Sequence, residues 1–145
     1  MVRIEGHIRI DRPPEVVFDF VADERNEPRY NPRMARVEMT TEEPIGVGSR
    51  FLATMTIRGR PMEMAIELTA LERPTRLASR TTMAAMDTEG EVTFEPGPSG
   101  TLMRWSWRVR PKGALGLARP LVALVGRRQE REIWGNLKRL LEEAG

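Results

Sequence analysis

The sequence predicts an α+β fold. About seven antiparallel strands form one curved sheet wrapped around a long C-terminal helix, with two short helices after the first strand. Three observations predict it. Apolar and polar residues alternate with period two almost throughout residues 34–110. The breaks in that pattern are short and carry turn chemistry, so neighbouring strands run antiparallel. Residues 119–143 then change to helical spacing. A curved sheet touches one helix along only part of its length, which leaves room for an internal cavity.

The elements follow in order. In residues 2–10, Ile4, Ile8 and Ile10 point one way and Arg3, Glu5, His7 and Arg9 the other, as in a half-buried strand. Asp11 offers an N-cap and Pro13-Pro14 suit a first helical turn, with Val16, Val17, Phe20 and Val21 at helical spacing behind them. A second short helix or turn is expected over 23–29, ending before Tyr30-Asn31-Pro32. Strands are expected over 35–42, 49–58, 61–72, 75–84, 88–96 and 100–110. The turns between them include Arg58-Gly59-Arg60, Arg73-Pro74, Asp87 to Gly90, and Pro96-Gly97-Pro98-Ser99-Gly100. Pro120 suits the first turn of the last helix, and Gly126 interrupts it.

Composition narrows the chemistry. The 145 residues amount to one domain, 1–145. There is no cysteine and one histidine, His7, on the outward parity of the first strand. Disulfides, thiolate metal sites, cysteine nucleophiles and mechanisms needing two imidazoles are thereby excluded, and no metal site is expected. No cofactor is expected either, because Gly46-Val47-Gly48 lacks the phosphate-cradling strand–turn–helix context. The net charge of +2 is small, the charges on the strands alternate in sign, and no aromatic platform lies among them, so no nucleic-acid partner is expected. The start, MVRIEGHIRI, is too charged for a signal peptide. The longest apolar run, 114–125, is interrupted by Arg119 and Pro120 and is too short for membrane insertion. A soluble, cytoplasmic protein is the expectation.

Several short motifs, taken in order, resemble a known superfamily. Ile8-x-Ile10-x-x-Pro13-Pro14-Glu15-x-Val17-Phe18-x-Phe20-Val21-x-Asp23 is similar to the opening of the SRPBCC, or START-like, helix-grip proteins. Tyr30-Asn31-Pro32 resembles the aromatic-Asn-Pro turn that follows there, usually with Trp for Tyr. Gly46-x-Gly48-Ser49, Gly100-Thr101 with Trp105 and Trp107, and Leu137-Lys138-x-x-Leu140-Leu141-Glu142 resemble later landmarks. The resemblance covers nearly the whole chain and is strongest with the polyketide cyclase/dehydrase-like branch. It implies a helix-grip fold with a deep apolar cavity. It implies no single reaction, since members include cyclases, lipid carriers and hormone receptors.

Strand parity sorts the candidate ligand-binding residues. The inward set includes Phe51 and Met55, then Met64 and Ile66, then Ser79, Thr81 and Met83, then Phe94, then Met103, Trp105 and Trp107. The opposite parity carries Arg and Glu, which neighbouring hairpins would bring into cross-strand pairs on a solvated face. Five methionines share the inward parity: Met55, Met62, Met64, Met83 and Met103. Two readings stand for them, core filler and a deformable lining for an apolar ligand. Polar groups on that face are few: Ser79, Thr81 and Thr101, with Tyr30 and Asn31 at the rim.

On the last helix, Ile133, Trp134, Leu137, Leu140 and Leu141 form an apolar stripe that also contains Gly126 and Glu130. An unpaired carboxylate there would be costly and carry a raised pKa. Either Glu130 faces the cavity to bind or protonate a ligand, or it pairs with an Arg or is turned away by a kink at Gly126. By parity it is the only carboxylate placed inside. Glu130 and Tyr30 are therefore the candidate catalytic residues. Segment 114–125 is apolar on several sides, as a lid, as core, or as an interface for a partner or a homodimer. The reading with most support is binding of a small hydrophobic molecule (a lipid, polyketide, or aromatic or isoprenoid-like compound) between sheet and helix. The alternative is a polyketide cyclase or dehydratase using a cavity acid or base.

Overall fold

The computed structural model describes residues 1–145. Strand β1 (Val2–Ile10) leads through helix α1 (Pro14–Ala22) and a 3-10 helix (Glu24–Arg29) to β2 (Met34–Met39). Then follow β3 (Arg50–Ile57), β4 (Arg60–Glu72), β5 (Arg76–Met83), β6 (Met86–Gly97) and β7 (Gly100–Pro111). A second 3-10 helix (Gly113–Ala118) opens into α2 (Arg119–Ala144), which is 26 residues long. The sheet order is β1-β7-β6-β5-β4-β3-β2, with every neighbouring pair antiparallel. The helix-grip arrangement expected from the sequence is the one observed. The stretch containing α1 and the first 3-10 helix carries the chain from one sheet edge to the other, and β2 to β7 follow as a meander.

Local chemistry explains the connections. Ile57 pairs with Arg60 across Arg58-Gly59, both at positive φ (52° and 77°), which is the two-residue turn whose twist matches the flanking strands. Asp11 does not cap α1. The helix starts at Pro14 behind an extended Pro13, with no side-chain cap, while the Asp11 amide donates to Glu142 Oε2 at 2.8 Å. Residues Asp87 to Gly90, expected as a turn, are strand paired on both sides. Gly90 is there because the Ser106 carbonyl occupies the place of a Cβ, a close approach only glycine permits. Strand β2 ends at Met39, short of the expected Thr40 to Glu42.

The core sits under α1 and the C-terminal half of α2. Ile10, Phe18, Phe51, Phe94, Met103 and Leu137 are fully buried there, and Phe18 meets Phe94 edge-on at 5.3 Å between ring centres. Polar ties fix this end of α2: Arg12 Nη1 donates to the Leu141 carbonyl at 2.6 Å, and Lys138 Nζ to the Arg9 carbonyl at 2.8 Å. The outer sheet face carries cross-strand ion pairs such as Arg76–Glu91 (2.6 Å) and Arg104–Glu95 (3.4 Å). Half-exposed pairs of this kind contribute roughly 0.2–1 kcal/mol each. No helix is long and apolar enough to cross a membrane.

Candidate functional site

Away from that core, sheet and helix separate around a cavity of about 410 Å³, lined by 27 residues of which 19 are hydrophobic. The inward side chains of β3 to β7 form one wall. The stretch of α2 from Val122 to Trp134 forms the other, with Val122, Val125, Gly126, Glu130 and Trp134. A methyl group at Gly126 would overlap Ile4 Cδ1, so glycine lets α2 close against β1 at this level.

The cavity wall includes Met55, Met64, Ile66, Ser79, Thr81, Met83, Trp107, Glu130, Trp134 and Tyr30 from the sequence-derived set. Phe51, Phe94, Met103 and Trp105 have the inward parity but do not reach the cavity. They lie in the packed core, where α1 and the end of α2 close over the sheet. Trp105 rests on Gly6 and beside Trp134, 5.9 Å between ring centres. Tyr30 and Asn31, expected at a rim, are buried at 3% and 2% exposure. The Tyr30 carbonyl accepts from Asn136 Nδ2 at 3.0 Å, which pins this turn to α2. His7 is exposed on the outer face.

Glu130 is not the only carboxylate inside. Glu24 and Glu27 also line the cavity. They project from the 3-10 helix Glu24–Arg29, which Asp23 caps by accepting from the Arg25 amide at 3.0 Å. Parity gave no access to them, because six residues in a 3-10 turn have neither the strand nor the α-helical period. Thr88, Met86 and Gln129 on the wall were likewise not singled out.

The three acids form one electrostatic unit. Burial pushes the Glu24 carboxyl well above the usual carboxylate range, and the charge of Glu27 and a hydrogen bond shared with it push the same way. Glu27 is also raised by burial, held back by Asn31 Nδ2, which donates to it at 2.8 Å, and by a hydrogen bond with Glu24. Glu130 is pushed up to about 7, first by burial and then by Glu27, against the indole N–H groups of Trp107 and Trp134 and the Arg33 charge. Neither indole N–H closes a hydrogen bond of good geometry. Burial, and then the charges of Glu27, Glu24, Glu130 and Asp23, raise the Tyr30 phenol well above its ordinary value.

Segment 114–125 is split in its roles. Leu115, Leu121, Val122 and Val125 line the cavity. Leu117 is 91% exposed and Leu121 60%. This end of α2 therefore borders the cavity on one side and faces outward on the other.

Solved structures share this architecture. The protein TTHA0849 of Thermus thermophilus superposes with a TM-score of 0.83 at 18% identity, covering 99% of each chain. A START superfamily protein from Mycobacterium smegmatis gives 0.85 at 15% identity, again over 99% of each. The di-domain ARO/CYC StfQ from the steffimycin biosynthetic pathway gives 0.80 at 16%, over 99% of this chain and 52% of that one. At such identities the likeness shows the fold alone. No curated protein matches the sequence significantly. The profile of one family, described as polyketide cyclase / dehydrase and lipid transport, matches residues 1–142. With its helix-grip fold and its cavity between sheet and helix, the chain belongs to that polyketide cyclase/dehydrase and lipid transport family.

Proposed function

We propose that this protein binds a small hydrophobic molecule in the cavity between the sheet and α2. The observation that carries the reading is the cavity itself: about 410 Å³, with 19 of its 27 lining residues hydrophobic. That is the size and lining of a small-molecule site, apolar with a few placed polar groups. Met55, Met64, Met83 and Met86 supply flexible, polarizable walls that adapt to an irregular ligand. Ser79, Thr81, Glu130 and Tyr30 supply the orienting hydrogen bonds. A thermal-shift screen against fatty alcohols, isoprenoids, flavonoids and aromatic polyketides tests the reading. A ligand at one hundred times its dissociation constant stabilises the native state by about 2.7 kcal/mol, so a true ligand class raises the melting temperature clearly. A flat response across the panel would contradict a binding role.

One observation favours a second reading, a cyclase or dehydratase acting on a polyketide-like substrate. Glu130, titrating at about 7 on the cavity wall, is matched to proton transfer at neutral pH. Glu24 and Glu27, both raised by burial, line the same cavity. On this reading Glu130 is the acid or base and Tyr30 orients the substrate. Turnover of a bound polyketide that survives Glu130→Gln unchanged would exclude this assignment.

A further inference from the structure

The exposed apolar side chains of this protein are gathered in one place. Apart from Met1 and Val47, every exposed large apolar residue lies at the start of α2 or just before it: Leu117 at 91% exposure, Leu121 at 60%, Leu124 at 51% and Val125 at 43%. Leu117, Leu121 and Leu124 recur at spacings of four and three, which places them in one outward row. Single exposed leucines are ordinary, but a contiguous row of them marks an interaction surface.

Charge is a second, independent observation. Between Glu95 and Glu130 the sequence has no Asp or Glu. Within that stretch Arg104, Arg108 and Lys112 are matched by Glu95, Glu89 and Asp87. The spacing of the leucine row continues through Arg128 and Arg131, with Arg127 beside them. All three arginines are exposed and form no ion pair. Ile57 lines the cavity, and the turn that follows it adds Arg58 and Arg60, also exposed and unpaired.

We propose that this row docks the protein on an anionic phospholipid surface, with Leu117, Leu121 and Leu124 in the headgroup layer and Arg127, Arg128 and Arg131 against lipid phosphates. The unmatched positive charge selects the occupant. A second copy of the chain, related by a two-fold axis, would set these arginines against themselves. A bilayer offers negative charge beside an apolar layer, and it takes a convex row of leucines without a matching socket. Long arginine stems keep the guanidinium groups at the phosphates while the leucines lie deeper. The contact is with one leaflet, since no helix is long and apolar enough to cross. Leu121 and Val125 border the cavity as well as solvent, so docking brings the cavity's edge to the acyl chains. The surface acts with the cavity empty or filled, so the proposal goes beyond the binding role and does not depend on it.

The test is co-sedimentation of the full chain with vesicles of phosphatidylcholine, alone or with about one third phosphatidylglycerol. At low salt, partition onto the anionic vesicles should exceed that onto phosphatidylcholine by at least about tenfold, and it should collapse towards about 1 M salt. Arg127→Gln with Arg128→Gln should weaken it about twentyfold, since each arginine near such a surface contributes about fivefold. Leu117→Ser with Leu124→Ser should weaken it at least about tenfold at unchanged charge. Neither leucine lines the cavity, so both double variants should keep the parent's melting temperature and its binding of the neutral dye N-phenyl-1-naphthylamine. Equal partition onto the two vesicle types would overturn the proposal, as would anionic binding unmoved by the leucine pair or by the arginine pair. A parent that leaves the vesicles unbound also overturns it. A dimer in sedimentation equilibrium that Leu117→Ser with Leu124→Ser separates would then assign the row to a second copy, and a monomer would leave it to an acidic protein. Dye binding without vesicle binding sinks the docking surface and leaves the cavity's role standing, and vesicle binding without dye binding does the reverse.

Discussion

The two halves of the inner face are built from the same strands and the same helix, yet one is packed and the other hollow. On β7, Thr101, Met103 and Trp105 are buried in the core, and two residues further on Trp107 lines the cavity. On α2, Leu137 and Leu141 are core, and about three turns earlier Gly126 and Glu130 are cavity wall. The difference lies in what covers them. Helix α1 packs on β5, β6 and β7, and its Phe18 meets Phe94 edge-on in the packed half. The other end is bordered by α2, by Val21 at the end of α1 and by the two 3-10 helices, and α2 begins there among exposed leucines instead of the polar ties that hold its C-terminal half. Apolar parity therefore marks the concave face, but what covers that face decides whether it is core or pocket.

The contrast can be broken most strongly in the packed half. Phe94→Ala should cost about 3–5 kcal/mol in urea denaturation, because it empties a site with no room to relax. A loss near 1 kcal/mol would mean that this half is not closely packed.

Next in size is an effect in the open half, of opposite sign. Folded Glu130 titrates at about 7 against an ordinary 4.5. Between those values the folded state binds more protons than the unfolded one, so stability falls as pH rises across that window and levels off above 7. The full span amounts to about 3 kcal/mol. Glu130→Gln should therefore be more stable than the parent by up to about 3 kcal/mol at pH 8 and no different at pH 4. Parallel stability profiles for the two proteins would show that Glu130 is not a buried acid.

Smaller still, Met64→Ala should cost about 1 kcal/mol, because its side chain is half-buried and borders space already open. A cost like that of Phe94→Ala would erase the distinction between the halves. On the outer face, Arg76→Ala should cost under about 1 kcal/mol by urea denaturation, and less at high salt. A larger, salt-independent loss would give the ion pairs a structural weight not expected of exposed charges.

Much of the fold was legible because it rests on period and punctuation. The alternation through β3 to β7, the Arg58-Gly59 turn and the long final helix are each local signals. Two features were hidden for physical reasons. Asp87 to Gly90 has turn composition, but Gly90 answers to a tertiary contact with Ser106 that no local pattern encodes. Glu24 and Glu27 sit on a 3-10 helix, where neither strand nor α-helical phase assigns a face. Glu130 could be read because it breaks an otherwise apolar α-helical stripe. Phe51, Phe94, Met103 and Trp105 share the parity of true wall residues, and position along the strand, which parity does not carry, separates them.

The central claim, that the hollow half is a binding site, is tested most directly by titrating N-phenyl-1-naphthylamine into the parent protein and into Ser79→Phe. Ser79 lies on the cavity wall, and a phenyl ring there takes up part of the space a ligand would occupy. Saturable one-to-one binding to the parent is predicted, with its loss in the variant and little change in melting temperature. Equal binding to both proteins would place the apolar site outside the cavity and contradict the claim.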